Sequence, residues 1–285
     1  MGGFHSLLRY MTGHFNRSVS CACGCYKGKV RSTNEDNLCF DGVCLTDADK
    51  GLPKVLTARI SGEGLKKGTL HGFGIFDGMG GGDYGEVASG IAAGRMKDFL
   101  NKAASEGEMH KAASIDELHS DQLHALCGAI NKEVYQVSVD RGSYLVGTTM
   151  AALFIDYDSV WACNIGDSRI FRLRRHELEQ ISIDHTDEKI MKAVGVVGRK
   201  PMLTQYLGMN TEEYELEPCI SQHRIQKNDE YLICSDGVTD MVPEEQIRKI
   251  LDSGSMPEDM VKKLIESALD AGGRDNITAV VLAFE

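Results

Sequence analysis

Three features of this 285-residue sequence predict an α+β fold. Runs with strand character come first, two helical patterns follow, strands return after residue 147, and two more helical patterns precede a final strand. A βαβ protein would interleave them instead. Apolar residues make up 42% of the chain and charged residues 26%, the balance of a globular protein with a buried core. No internal repeat and no Pro/Ser-rich linker divides the sequence, whose length suits one large domain or two small ones.

Residues 19–26 alternate and read as a first strand. Within it, Cys21-Ala22-Cys23-Gly24-Cys25 could hold a metal through thiolates. No second C-x-x-C or Cys/His pair stands at zinc spacing, and free cysteine behaves as a small hydrophobe, so a strand with its cysteines on one face is preferred. A turn at 27–29 and a strand start at 38–40 follow. Residues 41–69 are rich in glycine and charge and read as loops with a hairpin. Residues 71–76 form a strand that runs into Asp77-Gly78-Met79-Gly80-Gly81-Gly82-Asp83. Counted from Gly74, five of ten residues there are glycine, which predicts a tight turn holding the Asp77 carboxylate at the strand end. A helix over about 84–104 carries Ala88, Ile91, Ala92, Met96, Phe99 and Leu100 at helical spacing. A second carries Leu118, Leu123, Leu126, Ile130, Val134 and Val137, with Ser114-Ile115-Asp116-Glu117 as a capping box. Both stripes are read as core packing.

Strands are then predicted over 148–155, 159–165 and 169–173. Residues 184–215 break the pattern with a short helix near 188–194, a glycine-rich bend and an irregular stretch over 201–209. A strand at 230–235 precedes helices over 243–253 and 257–271, each with proline near its first turn, and residues 278–284 close the chain as a β-branched strand.

A net charge of −11 argues against nucleic acid or an anionic membrane surface as a main partner. It leaves a phosphorylated substrate open, because an arginine and bound cations can reverse the local field. No apolar run is long enough to cross a bilayer. The N-terminus, interrupted by Arg9 and Tyr10, does not resemble a secretory signal. With nine cysteines and no such signal, the compartment is expected to be reducing and the protein cytoplasmic. Residues 1–18 are expected to form a mobile tail, in which Leu7, Leu8, Met11 and Phe15 give a weak apolar face. The start Met1-Gly2-Gly3-Phe4-His5-Ser6 fits a myristoylation pattern, but the ordinary tail is preferred.

Four acidic motifs stand at the edges of strand-like runs beside glycine or asparagine: Glu35 and Asp36 after Arg31-Ser32-Thr33-Asn34, Asp77, Asp236 before Gly237, and Asp275 after Gly272-Gly273-Arg274. One such acid is an ordinary turn residue. Four together suggest a site, and clustered carboxylates repel one another unless a cation lies among them. Oxygen donors without histidine or cysteine favour Mg²⁺ or Mn²⁺ over zinc. Two such ions about 3.5–4 Å apart make hydroxide available near neutral pH for attack on phosphorus. Arg31 suits the phosphate, which a guanidinium grips bidentately.

In these residues the sequence resembles the protein phosphatase 2C family of metal-dependent Ser/Thr phosphatases, and most closely its bacterial branch. The matching pieces are Arg31-x-x-Asn34-Glu35-Asp36, Phe76-Asp77-Gly78-Met79-Gly80-Gly81, Gly147-Thr148-Thr149, Gly166-Asp167-Ser168-Arg169, Cys234-Ser235-Asp236-Gly237-x-Thr239-Asp240 and Gly273-Arg274-Asp275-Asn276-Ile277-Thr278. They occur in the family's order over residues 31–278. The resemblance implies a four-layer α-β-β-α sandwich, two antiparallel sheets flanked by helix pairs, formed by residues 19–285 with a flap over about 184–215. It implies hydrolysis of phosphoserine and phosphothreonine by a water bridging two Mn²⁺ or Mg²⁺ ions. Asp77 would bridge the ions, and Asp236 and Asp275 would complete the ligands of the first ion. Glu35 and the Gly78 carbonyl would serve the second ion. Asp36 would act in the outer shell and Arg31 would hold substrate phosphate, while Asp167 and Asn276 look structural.

Two departures stand out. Met79 occupies the place of a histidine thought to protonate the leaving group in many eukaryotic relatives, and methionine has no proton to give. Tyr144 stands where an acid often binds a third ion, so a third site is expected to be weak or missing. Phosphorylated proteins are the expected partners, with a cognate Ser/Thr kinase as counterpart, and the protein is expected to be a monomer. The alternatives are an inactive regulator of the same fold, or a sporulation-type phosphatase of an anti-sigma-factor antagonist.

Overall fold

The computed structural model describes residues 18–46, 55–61, 65, 69–80, 84–106, 115–143 and 145–285, without the side chains of 115–119. The expectations for residues 1–17, for the capping box beginning at Ser114 and for Tyr144 concern positions outside the described residues.

Two six-stranded sheets stack face to face. The first has the order β11 (Glu177–Gln180), β10 (Arg169–Arg174), β13 (Glu230–Cys234), β14 (Ile277–Phe284), β1 (Val19–Tyr26) and β4 (Val55–Ile60). The second has the order β12 (Cys219–Arg224), β9 (Ser159–Ile165), β8 (Met150–Asp156), β5 (Leu70–Phe76), β2 (Asn37–Phe40) and β3 (Val43–Cys44). A two-stranded ribbon pairs β6 (Gly78–Gly80) with β7 (Val146–Thr148). Every strand pair is antiparallel.

Helices α1 (Tyr84–Glu106) and α2 (Ile115–Arg141) cover the outer face of the second sheet. The short α4 (Asp236–Thr239), α5 (Glu244–Leu251) and α6 (Pro257–Asp270) cover the first. The remaining helix, α3 (Glu188–Val194), lies in the segment over about 184–215 expected to form a flap, called the flap segment below. Three apolar layers result, one between the sheets and one under each helical layer. This is the expected α-β-β-α sandwich. No helix of the described residues is long and apolar enough to cross a membrane.

The period of two in β1 works as expected. Cys21, Cys23 and Cys25 point between the sheets, whereas Ala22 faces the α6 layer. Burial pushes the Cys23 thiol up to about 12, the behaviour of a packing residue and not of a thiolate ligand. In β5 the same alternation explains two glycines. Phe73 and Ile75 enter the inter-sheet core, while Gly72 and Gly74 lie under α1. A Cβ on Gly74 would stand 2.7 Å from the Met96 sulfur, and one on Gly72 would stand 2.8 Å from a Leu100 methyl. Their absence lets α1 settle on the sheet directly over the strand that ends at Asp77.

Four strands were not expected. β4 lies in the stretch read as loops, and β6, β11 and β12 also went unread. The hairpin expected within 41–69 begins earlier, where β2 turns through Asp41 and Gly42 into β3.

Candidate active site

The acidic residues converge at one end of the sandwich, where the loops after β1, β5, β13 and α6 meet. A cleft of about 270 Å³ there is lined by Arg31, Glu35, Asp77, Gly78, Met79, Asp167, Lys200, Asp236 and Asp275, among others. Six of the seven residues singled out from the sequence therefore share one cavity. The seventh, Asp36, is buried behind it.

Asp77 is fixed through its backbone. Its N–H donates to Thr149 Oγ1 at 3.1 Å, and its carbonyl accepts from Thr148 Oγ1 at 3.0 Å and from Thr149 N at 2.9 Å. Thr149 Oγ1 in turn lies 2.8 Å from Ser168 Oγ, and both residues are buried. The Gly-Thr-Thr and Gly-Asp-Ser-Arg segments thus form a relay behind the strand end. Arg169 continues it outward with a bidentate pair to Asp184, its closest contact 2.6 Å, tying the root of the flap segment to β10. Gly166 adds a second tie, donating to His185 Nδ1 and accepting from His185 N.

Close backbone approach explains Gly78. A Cβ there would stand 2.1 Å from the Gly85 carbonyl oxygen and 2.6 Å from that of Glu35. Glu35 is held by its main chain: its N–H donates to Asn276 Oδ1 at 2.8 Å, and its carbonyl accepts from Ser89 Oγ at 2.6 Å. Asn276 also donates to the carbonyls of Lys27 and Thr33, so a single amide joins three segments around the cleft.

Behind the cleft, Asp36 Oδ2 accepts from Thr278 Oγ1 at 2.6 Å and from Ser235 Oγ at 3.0 Å. Its Oδ1 is buried without a hydrogen-bond partner. Burial raises the Asp36 carboxyl to about 7 against the pull of those two hydroxyls, and Asp236 and Asp275 add repulsion. Burial raises Asp77 well above the usual carboxylate range, with Asp36, Asp236, Asp167 and Asp275 pushing the same way. Asp167 rises to about 6, again mainly through burial.

Two basic side chains offset this charge. Arg31 reaches Asp275 at 2.7 Å. Lys200, from the flap segment, reaches Asp236 at 2.5 Å and Asp240 at 2.9 Å. Lys200 and Asp240 were not assigned roles from the sequence, because nothing in the glycine-rich bend at 195–200 shows where that lysine lands.

These residues suit a hard cation. Every acidic donor is an oxygen, neighbouring carboxylates add to the raised proton affinity of Asp36, Asp77 and Asp236, and one buried oxygen of Asp36 lacks a partner. Among the described residues no three acidic, histidine or cysteine side chains already form a metal cluster. Arg31 and Lys200 hold two of the acids instead. Met79 lines the cleft and supplies no titratable proton.

Comparison with known proteins agrees with the fold. The protein phosphatase 2C family profile matches residues 65–271. The serine/threonine phosphatase stp of Listeria monocytogenes serotype 4b is 28% identical over 265 residues, covering 90% of this chain and 92% of that protein. PppA of Pseudomonas aeruginosa superposes with a TM-score of 0.68 at 26% identity, covering 93% of this chain and 99% of its own. The catalytic domain of the phosphatase PstP, solved with two manganese ions, superposes with a TM-score of 0.69 at 26% identity, covering 94% of this chain and 99% of its own. The chain belongs to the protein phosphatase 2C family.

Proposed function

We propose that the protein is a metal-dependent Ser/Thr phosphatase whose Asp77, Asp236 and Asp275 hold a pair of Mn²⁺ or Mg²⁺ ions, with Glu35 and the Gly78 carbonyl serving the second. The observation that carries this assignment is the cleft in which all five residues meet beside Arg31. When bound, the cations supply a water acidic enough to serve as nucleophile near neutral pH and neutralise charge on the transferring phosphoryl group.

The chain's own residues do the positioning. The Thr148–Thr149–Ser168 relay sets the backbone of Asp77, so its carboxylate meets the cations without reorganising. Asp36 remains behind them, gripped by Ser235 and Thr278, as a buried negative charge that a nearby cation offsets. Arg31 is half-exposed at the mouth of the cleft, paired with Asp275, and would be free to hold the substrate phosphate if Asp275 served a cation instead. With methionine at position 79, the departing serine or threonine oxygen takes its proton from another source, such as water.

The substrates are phosphoproteins. We infer that a Ser/Thr kinase supplies them, that the protein acts as a monomer, and that it works in the cytoplasm, where nine free thiols remain reduced.

The test is turnover of p-nitrophenyl phosphate and a phosphothreonine peptide with Mn²⁺, with and without EDTA, beside Asp77→Asn. Metal-dependent hydrolysis lost in the variant is expected. No turnover above the variant refutes the assignment. Arg31→Ala should chiefly raise KM, and a collapse of kcat with KM unchanged would remove Arg31 from phosphate binding.

A further inference from the structure

A groove of about 620 Å³ runs between the C-terminal part of α2 and the arm of the flap segment that returns to β12. Tyr135, Val139, Tyr206, Met209, Glu213 and Tyr214 are among its lining residues. Its floor is built rigidly. The Asn131 side chain, buried in α2, accepts from Gly208 N at 2.8 Å and Met209 N at 2.9 Å and donates to the Met209 carbonyl at 3.0 Å. Gly208 has φ +114°, and a Cβ there would stand 2.5 Å from the Val146 carbonyl oxygen, so the arm lies tight against β7.

The groove adjoins the catalytic cleft. Gly147 of β7 separates them: a Cβ on it would meet the Met79 terminal methyl at 2.7 Å from the cleft and the Tyr206 ring at 2.6 Å from the groove. Thr148 exchanges backbone hydrogen bonds with Leu207 on one side and pairs with Gly78 on the other. A chain whose phosphorylated residue lay in the cleft would reach the groove by passing over the Met79 and Tyr206 side chains, which cover the buried Gly147.

The charge of the arm selects the occupant. Residues 201–223 include Glu212, Glu213, Glu215 and Glu217 and no lysine or arginine. Tyr214 is 59% exposed and Tyr206 half-buried, so aromatic faces are available to aliphatic stems and to cationic heads. We propose that this groove binds the flank of a phosphoprotein substrate and favours lysine and arginine beside the phosphorylated residue. The proposal rests on the phosphatase reading and names the class of substrate that site takes.

The test uses the full chain with Mn²⁺ and three substrates. These are p-nitrophenyl phosphate, which has no flank, a phosphothreonine peptide with three lysines on each side, and its counterpart with glutamates. Wild type should favour the basic peptide by at least about fivefold in kcat/KM, and the preference should shrink at high salt. Glu213→Arg should abolish the preference, and Tyr214→Ala should lower turnover of the basic peptide. Both exposed substitutions should leave p-nitrophenyl phosphate unchanged. Equal use of both peptides by wild type, or equal losses on all three substrates in Glu213→Arg, would overturn the groove while leaving the phosphatase standing. Absence of wild-type turnover of p-nitrophenyl phosphate would overturn both.

Discussion

Replacing Lys200 with methionine should tighten Mn²⁺ binding. Lys200 Nζ sits 2.5 Å from Asp236 Oδ2, an oxygen that a cation would also claim. Binding at Asp236 therefore starts by weakening an existing ion pair. Two unit charges 4 Å apart attract by about 4 kcal/mol at an effective dielectric of ~20 and by about 1 kcal/mol in water. The Asp236 side chain is 14% exposed but that of Lys200 is 57% exposed, so the pair belongs nearer the aqueous limit. A difference of ~1–2 kcal/mol, or about five- to thirtyfold in Kd, follows. Methionine keeps much of the aliphatic stem that packs at the cleft, so the change isolates the charge. Calorimetric titration of Mn²⁺ into metal-stripped protein measures it directly, without reference to turnover. Lys200→Arg should bind like wild type, and the gap between wild type and Lys200→Met should narrow as salt is added. If Lys200→Met bound Mn²⁺ as weakly as wild type, or more weakly, competition between lysine and cation would be refuted, and Lys200 would be an accessory that leaves Asp236 free.

Three further outcomes concern stability. Asp36 titrates near 7 in the folded, metal-free protein and near 4 when unfolded, so the folded state holds the extra proton between those values. Its contribution is most favourable below about pH 4, is lost as pH rises through 7, and leaves the full penalty of a buried charge above that. Asp36→Asn removes this penalty, so its Tm relative to wild type, measured in EDTA, should rise from pH 5 to pH 8; parallel curves would refute the buried charge. In the second, Gly237→Ala places a methyl 1.9 Å from the Asn276 carbonyl oxygen, a backbone atom with no freedom to move aside. It should cost ~3 kcal/mol and roughly 6–10 °C in Tm. Gly128→Ala in α2, with nothing within 4 Å of the new methyl, should gain ~0.5–1 kcal/mol by helix propensity in the same thermal scan.

What could be read from the sequence divides along a physical line. Central strands such as β1, β5, β8 and β14 are buried on both sides and appear as apolar or alternating runs. Three of the strands that went unread, β4, β11 and β12, are all at sheet edges. An edge strand has a neighbour on one side only and half its residues in water, so Glu177–Gln180 and Cys219–Arg224 carry polar residues that hide the pattern. β6, Gly78–Gly80, is a strand only because Val146–Thr148 comes to meet it.

The same line runs through the site. Each acid could be found because it stands at the edge of a local apolar run beside glycine or asparagine, and the local chain sets where that strand starts or stops. What makes the acids a site is contact across the chain. Asp36 is held by Ser235 and Thr278, which lie 199 and 242 residues away in sequence. Lys200 reaches Asp236 across 36 residues only because the flap segment is anchored at both ends. Arg169–Asp184 ties its start, and Asn131 clamps its return at Gly208 and Met209. The residues held by the second anchor, Gly208 and Met209, also line the groove. A segment held at both ends would bring a lysine to the proposed metal acids and a tyrosine to the proposed substrate flank together, so metal loading and substrate choice would depend on one segment. Loosening either anchor, as in Asn131→Ala, should therefore weaken peptide discrimination and alter Mn²⁺ affinity together, whereas independent loops would change one and spare the other.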